Sequence, residues 1–540
     1  MPTLQFKGKS FVQNHHLAVK FHQLVGVKGK SLTDKVSLHD NLIVQGDNLK
    51  ALKALLPTYA GKVKCIYIDP PYNTGNEKWV YNDNVNSPMM QEWLGSVVDK
   101  DDLTRHDKWL CMMMPRLKLL KELLAEDGAI FVSIDDNEQH VMRVLMDEVF
   151  GQHNFVANII WQKNFSPRNT AKWFSEDHDY LCCYAKNKDQ WAPQLLDRTE
   201  EQLKMYSNPD NDPRGPWTSG DISARNPYDK GRYSVKAPSG RVIKGPPAGR
   251  YWTISEDKFK ELDREGRIWW GEDGNNAPRH KRFLSDVKEG IVPRTIWLHS
   301  EAGNTQEAKK EINDLLQFEE EPFQTPKPSK LLARLLSITT SNEDIVLDSF
   351  AGSGTTAHAV LKLNKEDGGN RRFILVEMED YADSITAERV RRVIKGVPKS
   401  KNFQEGTGGS FSYFKLGPPI EMEHILHGDR LPSYEELARY VYYTATGEEF
   451  NAEDISGDPK KPFIGTSKHY LGGVYLFYEP DMGYLMDRAF TLDMARALGK
   501  HNNKRRLVFA PMKYLDQDYL DEMRIDYSQL PFEIYKFKGV

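Results

Sequence analysis

The sequence predicts an α/β fold: a doubly wound, mostly parallel sheet interrupted by a loop-rich insertion and followed by a small additional α/β segment. Short apolar, β-branched runs end in turn chemistry, as strands buried on both faces do. Amphipathic stretches of helical period alternate with those runs. Between about residues 164 and 321 this alternation is lost, and it then returns. At 540 residues the chain exceeds one hydrophobic core, which stops growing at about 250–300 residues, so two to four domains are expected.

In order along the chain, "NLIVQGD" and "KVKCIYIDPPY" read as strands. Between them "NLKALKALLPTYAG" reads as a helix with Leu49, Leu52 and Leu55 or Leu56 on one face, stopped by Pro57 and Gly61. "MMMPRLKLLKELLAEDGAIFVSI" gives a helix, an exit at Gly128 and a strand; "DNEQHVMRVLMDEVFG" and "FVANIIWQK" give one more of each. After the Gly-, Pro-, Trp- and Asn-rich interval, "SKLLARLLSITT", "DIVLDSF", "GTTAHAVLKLN" and "RRFILVEME" read helix, strand, helix, strand. The sheet is thus expected from two pieces of chain that flank the insertion. "NFQEGTGGS" reads as a flexible linker, and "GGVYLFYEP", "RRLVFAP" and "FEIYKFK" as strands beyond it. The expected domains are 1–163, 164–322, 323–400 and 401–540.

A hydrophobic fraction of 39% and a charged fraction of 28% suit a soluble globular chain. No apolar stretch approaches the ~20 residues that span a bilayer, so no membrane association is expected. The start, MPTLQFKGKSFVQNHH, lacks the apolar core and cleavage site of a secretory signal, and a cytoplasmic location is expected. Cys65, Cys111, Cys182 and Cys183 have neither disulfide-framework nor metal-ligand spacing and read as small buried apolar residues, with no metal expected. His178, between Asp177 and Asp179, has no second ligand at metal spacing and reads as a surface turn or strand start. Asp135 and Asp136 are expected to cap a helix beginning at Asn137.

A net charge of −4 excludes a uniform electrostatic attraction to nucleic acid, so any such binding must concentrate positive charge locally. The stretch from Arg214 to Arg250 does so. Arg214, Arg225, Lys230, Arg232, Lys236, Arg241, Lys244 and Arg250 face only Asp221 and Asp229 there, interleaved with Trp217, Tyr228, Tyr233, Tyr251 and Trp252. Lysine and arginine would meet phosphates while Asn and Arg side chains read base edges; a plain solvated loop domain is the other reading.

"DIVLDSFAGSGTTAHAV" places strand, glycine turn and helix in succession, so Gly352 and Gly354 admit a ligand close to the backbone at a helix N-terminus. Gly352, Gly354 and Ala357 satisfy G-x-G-x-x-A. No Lys precedes Thr355, which argues against a phosphate-cradling P-loop. Glu377 stands at the tip of the next strand, where such folds hold ribose hydroxyls, and the ribose of a nicotinamide dinucleotide or of S-adenosylmethionine would suit it equally. "CIYIDPPYNTG" separates the two. A strand delivers Asp69, two prolines fix the backbone, and Tyr72 presents a ring. An exocyclic amine is a poor nucleophile because its lone pair is delocalised; hydrogen bonds to the Asp69 carboxylate and the Pro70 carbonyl would turn that lone pair toward an electrophilic methyl. Tyr72 offers a stacking face to a base extruded from a duplex.

These residues resemble the amino-methyltransferases of DNA, whose catalytic D/N/S-P-P-Y/F/W motif stands here as Asp69 to Tyr72 and whose F-x-G-x-G loop stands as Phe350 to Gly354. Catalytic motif first and cofactor motif last resembles the β class. "DPPYNTGNEKWVYND", "SIDDNE", "TPKPSKLL" and "DSFAGSGTTAHAVL" resemble more closely the modification subunits of type III restriction-modification systems, over about residues 40–400. The resemblance implies a class I, Rossmann-like methyltransferase domain, an inserted target-recognition domain, and transfer from S-adenosyl-L-methionine to adenine N6 in double-stranded DNA; DPPY rather than SPPY points to adenine. It implies catalytic roles for Asp69, Pro70, Pro71 and Tyr72. It implies cofactor contacts from Asp47, Thr325, Lys327, Pro328, Asp348, Phe350, Ala351, Gly352, Ser353, Gly354, Thr355 and Glu377, although Asp47 reads equally as a helix cap. Arg214, Arg225, Arg232, Lys236, Arg241 and Lys244 are the expected DNA contacts. Trp79 and Tyr81 would lie on a lid. Pairing with a helicase-nuclease restriction subunit is implied, and homodimers are common in the family. The alternatives are transfer to RNA or to a protein glutamine, and a catalytically silent DNA-binding subunit.

Overall fold

The computed structural model describes residues 3–74, 104–167, 169–317, 325–420, 431–448, 450–455 and 461–530. Trp79, Tyr81, the 322 boundary and the strand expected at "FEIYKFK" lie outside the described residues. Ten strands and eight helices position the site. In chain order they are β1 (His22–Gly26), β2 (Leu42–Gln45), α1 (Asn48–Tyr59), β3 (Val63–Ile68), α2 (Thr104–Leu123), β4 (Leu124–Ile134), α3 (Gln139–Phe150), β5 (Phe155–Gln162), β6 (His178–Ala185), β7 (Ile296–Trp297), α4 (Thr305–Leu316), α5 (Ser329–Ser337), β8 (Ile345–Asp348), α6 (Thr355–Asp367), β9 (Arg372–Glu377), α7 (Glu388–Lys395), β10 (Ser412–Pro419) and α8 (Tyr434–Thr446).

The strands form one sheet in the order β1-β10-β2-β9-β8-β3-β4-β6-β5-β7. From β10 to β4 every neighbour is parallel. β6 runs antiparallel to β4 and β5, and β1 antiparallel to β10. The central strands are buried from end to end, as Ile345–Asp348 shows, which is why they read as unbroken apolar runs rather than alternating ones. Alternate residues feed opposite faces. Ile66, Ile68, Val132, Leu347 and Val376 share a core with Leu52 and Leu55 of α1, Trp109 and Leu117 of α2 and Met142 of α3.

Several local expectations shift. α1 runs through Pro57 to Tyr59: a proline in the last turn removes a single hydrogen bond, and the buried Leu55, Leu56 and Tyr59 hold the turn closed. β4 begins at Leu124, ahead of Gly128. The helix expected at Asn137 begins at Gln139, and Asp135 accepts the Asn137 N–H at 2.9 Å and its amide at 2.8 Å. His178 is the first residue of β6. All four cysteines are free and buried.

"NFQEGTGGS" is not a loose linker. Thr407 and Gly408 donate to the Val393 and Ile394 carbonyls at the end of α7, Val397 donates to Phe403, and a Cβ at Gly406 would meet the Ile394 oxygen at 2.1 Å. The glycines there serve close backbone packing, which composition alone reads as flexibility.

Two compact units emerge: Met1–Ala192 with Arg294–Val540, and Pro193–Pro293. The interval 164–322 therefore divides, with β6, β7 and α4 joining the large unit. β10, within 401–540, belongs to the main sheet, and Leu437 and Val441 of α8 enter the core of α1. A separate sheet of Phe463–Gly465, Val474–Leu476, Arg506–Ala510 and Ile525–Gln529 follows. No helix of the described residues is long and apolar enough to cross a membrane.

Candidate active site

β8 and β3 are parallel neighbours, with Val346 opposite Cys65 and Leu347 opposite Ile66. Their following turns, Asp69 to Tyr72 and Asp348 to Gly354, therefore leave the same edge side by side. From β8 the chain continues to β9 on one side; from β3 it continues to β4 on the other. The two turns flank the point where the winding reverses, the place where doubly wound sheets bind ligands.

The glycine turn is held from within. Gly352 and Gly354 adopt φ of 51° and 77°, and a Cβ at Gly354 would sit 3.0 Å from the Thr386 carbonyl. Asp348 accepts the Phe350 N–H at 3.0 Å and the Thr356 hydroxyl at 2.6 Å. Glu377 accepts the Gly352 and Glu379 N–H groups at 2.7 and 3.1 Å. Burial raises both carboxyls to about 7. The Thr386 hydroxyl donates to the Gly352 carbonyl at 2.6 Å from a π-helical turn, Ala382–Ala387; such turns are frequent at functional sites. Ala351 N–H reaches the Val376 carbonyl at 3.1 Å, and Phe350 and Ala351 are buried. Beneath the turn the fully buried Arg389 donates to Ser353 and Thr355 at 3.0 and 2.8 Å and pairs with Glu311 of α4 at 2.5 Å. Against the burial that opposes it, His358 and Arg389 bring the Glu311 carboxyl down to about 2.

The Asp69 turn is held differently. Trp109 donates to the Pro71 carbonyl at 2.7 Å. Tyr72 shares a hydrogen bond with Ser133 at 2.9 Å and donates to Asp179 at 3.4 Å; burial, with Asp69 and Asp179 beside it, pushes its phenol well above the usual range, so it stays protonated. Asp179 pairs with Lys163 at 2.6 Å. Asn73, at φ 56°, bonds the buried Glu138, which also meets His106 at 2.9 Å. Lys327 joins the two turns: its ammonium lies 2.5 Å from Asp69 Oδ2 and 5.0 Å from the Tyr72 ring centre, and its carbonyl accepts the Thr355 hydroxyl at 3.1 Å.

Asp69 Oδ1 and Ser349 Oγ, at the ends of these two strands, are buried without a hydrogen-bond partner among the described residues. Buried polar atoms are rarely left so, and a polar ligand in the crevice fits them. The other residues picked from sequence fall around it unevenly. Asp47 caps α1, accepting the Lys50 N–H at 3.0 Å, with Arg116 3.8 Å away. Pro328 precedes α5, and Thr325 is exposed. Asp348 and Glu377 are turned onto the loop backbone and the Thr356 hydroxyl. Sequence reading missed Lys163, Ser133, Asp179, Arg389 and Glu311. The available signal for Asp179 was an acid placed inside the apolar run "DYLCCYA" of a strand, where only a partnered carboxylate is tolerated. No group of His, Cys, Asp and Glu suited to a metal occurs among the described residues.

In the Pro193–Pro293 unit, Arg225, Arg232, Lys236, Arg241 and Lys244 are exposed. Arg232 lies over the Tyr251 ring at 4.6 Å, and Arg241 bonds the Asn275 carbonyl at 3.0 Å. Arg214 is instead committed to the fold, donating to Asp212 at 2.8 and 2.7 Å and lying 4.4 Å from the Phe283 ring centre.

A family model described as DNA methylase matches residues 63–388. The chain is 33% identical to the StyLTI Mod subunit, a type III restriction-modification enzyme of Salmonella typhimurium, over 73% of this chain and 63% of that one. It is 34% identical to the EcoPI Mod subunit of Escherichia phage P1, over 66% and 62%. The chain thus spans a little over three fifths of the length of these relatives. A solved putative DNA modification methylase of Thermus thermophilus overlaps 69% of this chain and 99% of its own at 14% identity and a TM-score of 0.32.

Proposed function

The chain belongs to the DNA methylase family, and from that premise we propose that it transfers a methyl group from S-adenosyl-L-methionine to the N6 amino group of adenine in double-stranded DNA. One observation carries the reading: a carboxylate oxygen without a hydrogen-bond partner among the described residues, Asp69 Oδ1, stands at the end of β3 beside the glycine turn of β8. An amino group carries two hydrogens, and Asp69 Oδ1 and the Pro70 carbonyl would accept them. Asp69 would then take up the proton released on transfer.

S-adenosyl-L-methionine, when bound, supplies the electrophilic methyl. The residues that would hold it are Phe350 to Thr355, with Gly352 and Gly354 giving the backbone approach a side chain would block, Asp47 and Glu377 at neighbouring strand ends, and Thr325, Lys327 and Pro328 ahead of α5. Tyr72 offers its ring to the extruded base, fixed by Ser133 and Asp179. Lys327 fixes the Asp69 carboxylate through Oδ2, leaving Oδ1 for the amine.

The exposed Arg225, Arg232, Lys236, Arg241 and Lys244 would supply phosphate and base contacts, with Arg214 supporting them from within. The Mod relatives favour a role as the modification subunit of a restriction-modification system, assembled with a helicase-nuclease subunit and dimeric, in the cytoplasm. Incubation with tritium-labelled cofactor and DNA, RNA or protein tests the substrate class. Label in DNA alone is expected; label confined to RNA or protein, or absent throughout, contradicts the reading.

A further inference from the structure

The described residues between β5 and β6, 163–167 and 169–177, hold apolar side chains that the site described above does not use. β5 is parallel to β4, because both are antiparallel to β6, so the loop leaves the sheet at the edge that carries Asp69. Its stem is closed: Lys163 and Asn164 donate to the Asp177 carbonyl at 2.8 and 3.2 Å, and Ser175 donates to the Asp177 carboxylate at 2.6 Å. The stem also abuts the site, since Lys163 pairs with Asp179 and Asp179 accepts from Tyr72. At the tip, however, Trp173 is 82% and Phe174 91% exposed. Two adjacent large aromatics left in water at a ligand crevice mark an interaction surface. The charge around them selects its partner. Lys172 lies 5.0 Å from the Trp173 ring centre, and the stretch from Lys163 to Ser175 carries Lys163, Arg168 and Lys172 with no acid ahead of the exposed Glu176 of the stem, a composition that suits phosphate-flanked bases rather than a protein face.

We propose that this loop is an aromatic wedge that enters duplex DNA beside the extruded adenine, Trp173 and Phe174 stacking in the space the base leaves and Lys172 meeting the adjacent phosphate. The inference rests on the DNA-methylation reading. Extrusion breaks stacking on both sides of the target, and aromatic side chains that stack on the exposed base faces restore part of it.

The test compares wild type with W173A/F174A and with W173F on two duplexes of the sequence that the wild type modifies, the target adenine lying opposite thymine or opposite an abasic site. The double variant is expected to lose at least tenfold in single-turnover methyl transfer on the paired duplex and to come within about threefold of wild type on the abasic one, where the base leaves freely. W173F should retain most activity on both. With 2-aminopurine at the target, the fluorescence rise on binding should fall in the double variant. An unaffected double variant, an equal loss on both duplexes, or a change only in self-association measured by sedimentation overturns the wedge. A wild type that modifies no DNA overturns instead the methylation reading on which it rests.

Discussion

The two turns that leave β8 and β3 lie side by side, yet the protein treats their polar groups in opposite ways. Around the glycine turn, all four carboxylate oxygens of Asp348 and Glu377 accept hydrogen bonds from the chain, and Arg389 fills the space beneath. Around the Asp69 turn, Lys327 takes one carboxylate oxygen and the other is left without a donor among the described residues. A cradle bonded to itself keeps its shape before a ligand arrives; an acceptor held in place and left unsatisfied is ready for a donor. Under the proposed methyl transfer, the difference is that between a binding element and a reacting one.

The largest expected effect lies on the satisfied side. Arg389→Met takes the guanidinium away from the buried Glu311, which keeps the His358 ring at 2.9 Å and the Ser329 hydroxyl at 2.8 Å, at a cost of up to about 3–5 kcal/mol, and loosens Ser353 and Thr355. Urea unfolding measures it, and a loss below about 1 kcal/mol would mean that the pair is not what holds the turn.

On the unsatisfied side, Asp69→Ala should slow methyl transfer on the order of 10²–10³-fold or more while cofactor affinity, read by calorimetry, stays nearly constant. A variant that loses both would erase the distinction between the turns. Lys327, which touches both, should give a smaller and mixed result. Lys327→Met is expected to lower kcat on the order of tenfold to a hundredfold, as loss of a positioned polar partner does, with less change in KM for DNA, and Lys327→Arg should recover part of it. An unchanged kcat would leave the Lys327 contact with no part in orienting Asp69.

A further effect is on stability against pH. Because burial raises Asp348 and Glu377 to about 7, the folded chain takes up these protons near pH 7 and the unfolded chain only near pH 4. Their contribution to stability is therefore greatest at acid pH and is lost as pH rises from about 4 to about 7. Asp348→Asn removes its share of that slope, so its Tm relative to wild type should rise between pH 5 and pH 8. Parallel Tm curves would show that Asp348 does not titrate in this range.

The frame of the site was legible because its signals are local. Apolar runs such as "DIVLDSF" and "FILVEME" are buried strands, and the residues directly after "CIYI" and "IVLD" inherit their position from the strand. That both turns leave the same edge of the sheet comes from the strand order of the fold. What was not legible depends on contacts far apart in sequence. Lys327 reaches Asp69 across 258 positions, and Arg389 reaches Glu311 across 78. Asp348 and Glu377 read as ligand-facing acids, and each of their oxygens already accepts one hydrogen bond from the chain, three from backbone N–H groups and one from the Thr356 hydroxyl, contacts that residue type cannot reveal. Arg214 looked like its basic neighbours until Asp212 and Phe283 came to surround it. The glycines of "NFQEGTGGS" were ambiguous for the same reason: close packing and looseness require the same residue.

One measurement bears most directly on the claim that methyl donor and target amine meet between these two turns: mass spectrometry of the nucleosides released from unmethylated duplex DNA after incubation with cofactor carrying an isotopically labelled methyl group. Label in N6-methyladenine with the wild type, and at least about a hundredfold less in the same time with Asp69→Ala, is the result predicted. Label in N4-methylcytosine, or equal N6-methyladenine from both proteins, would contradict it.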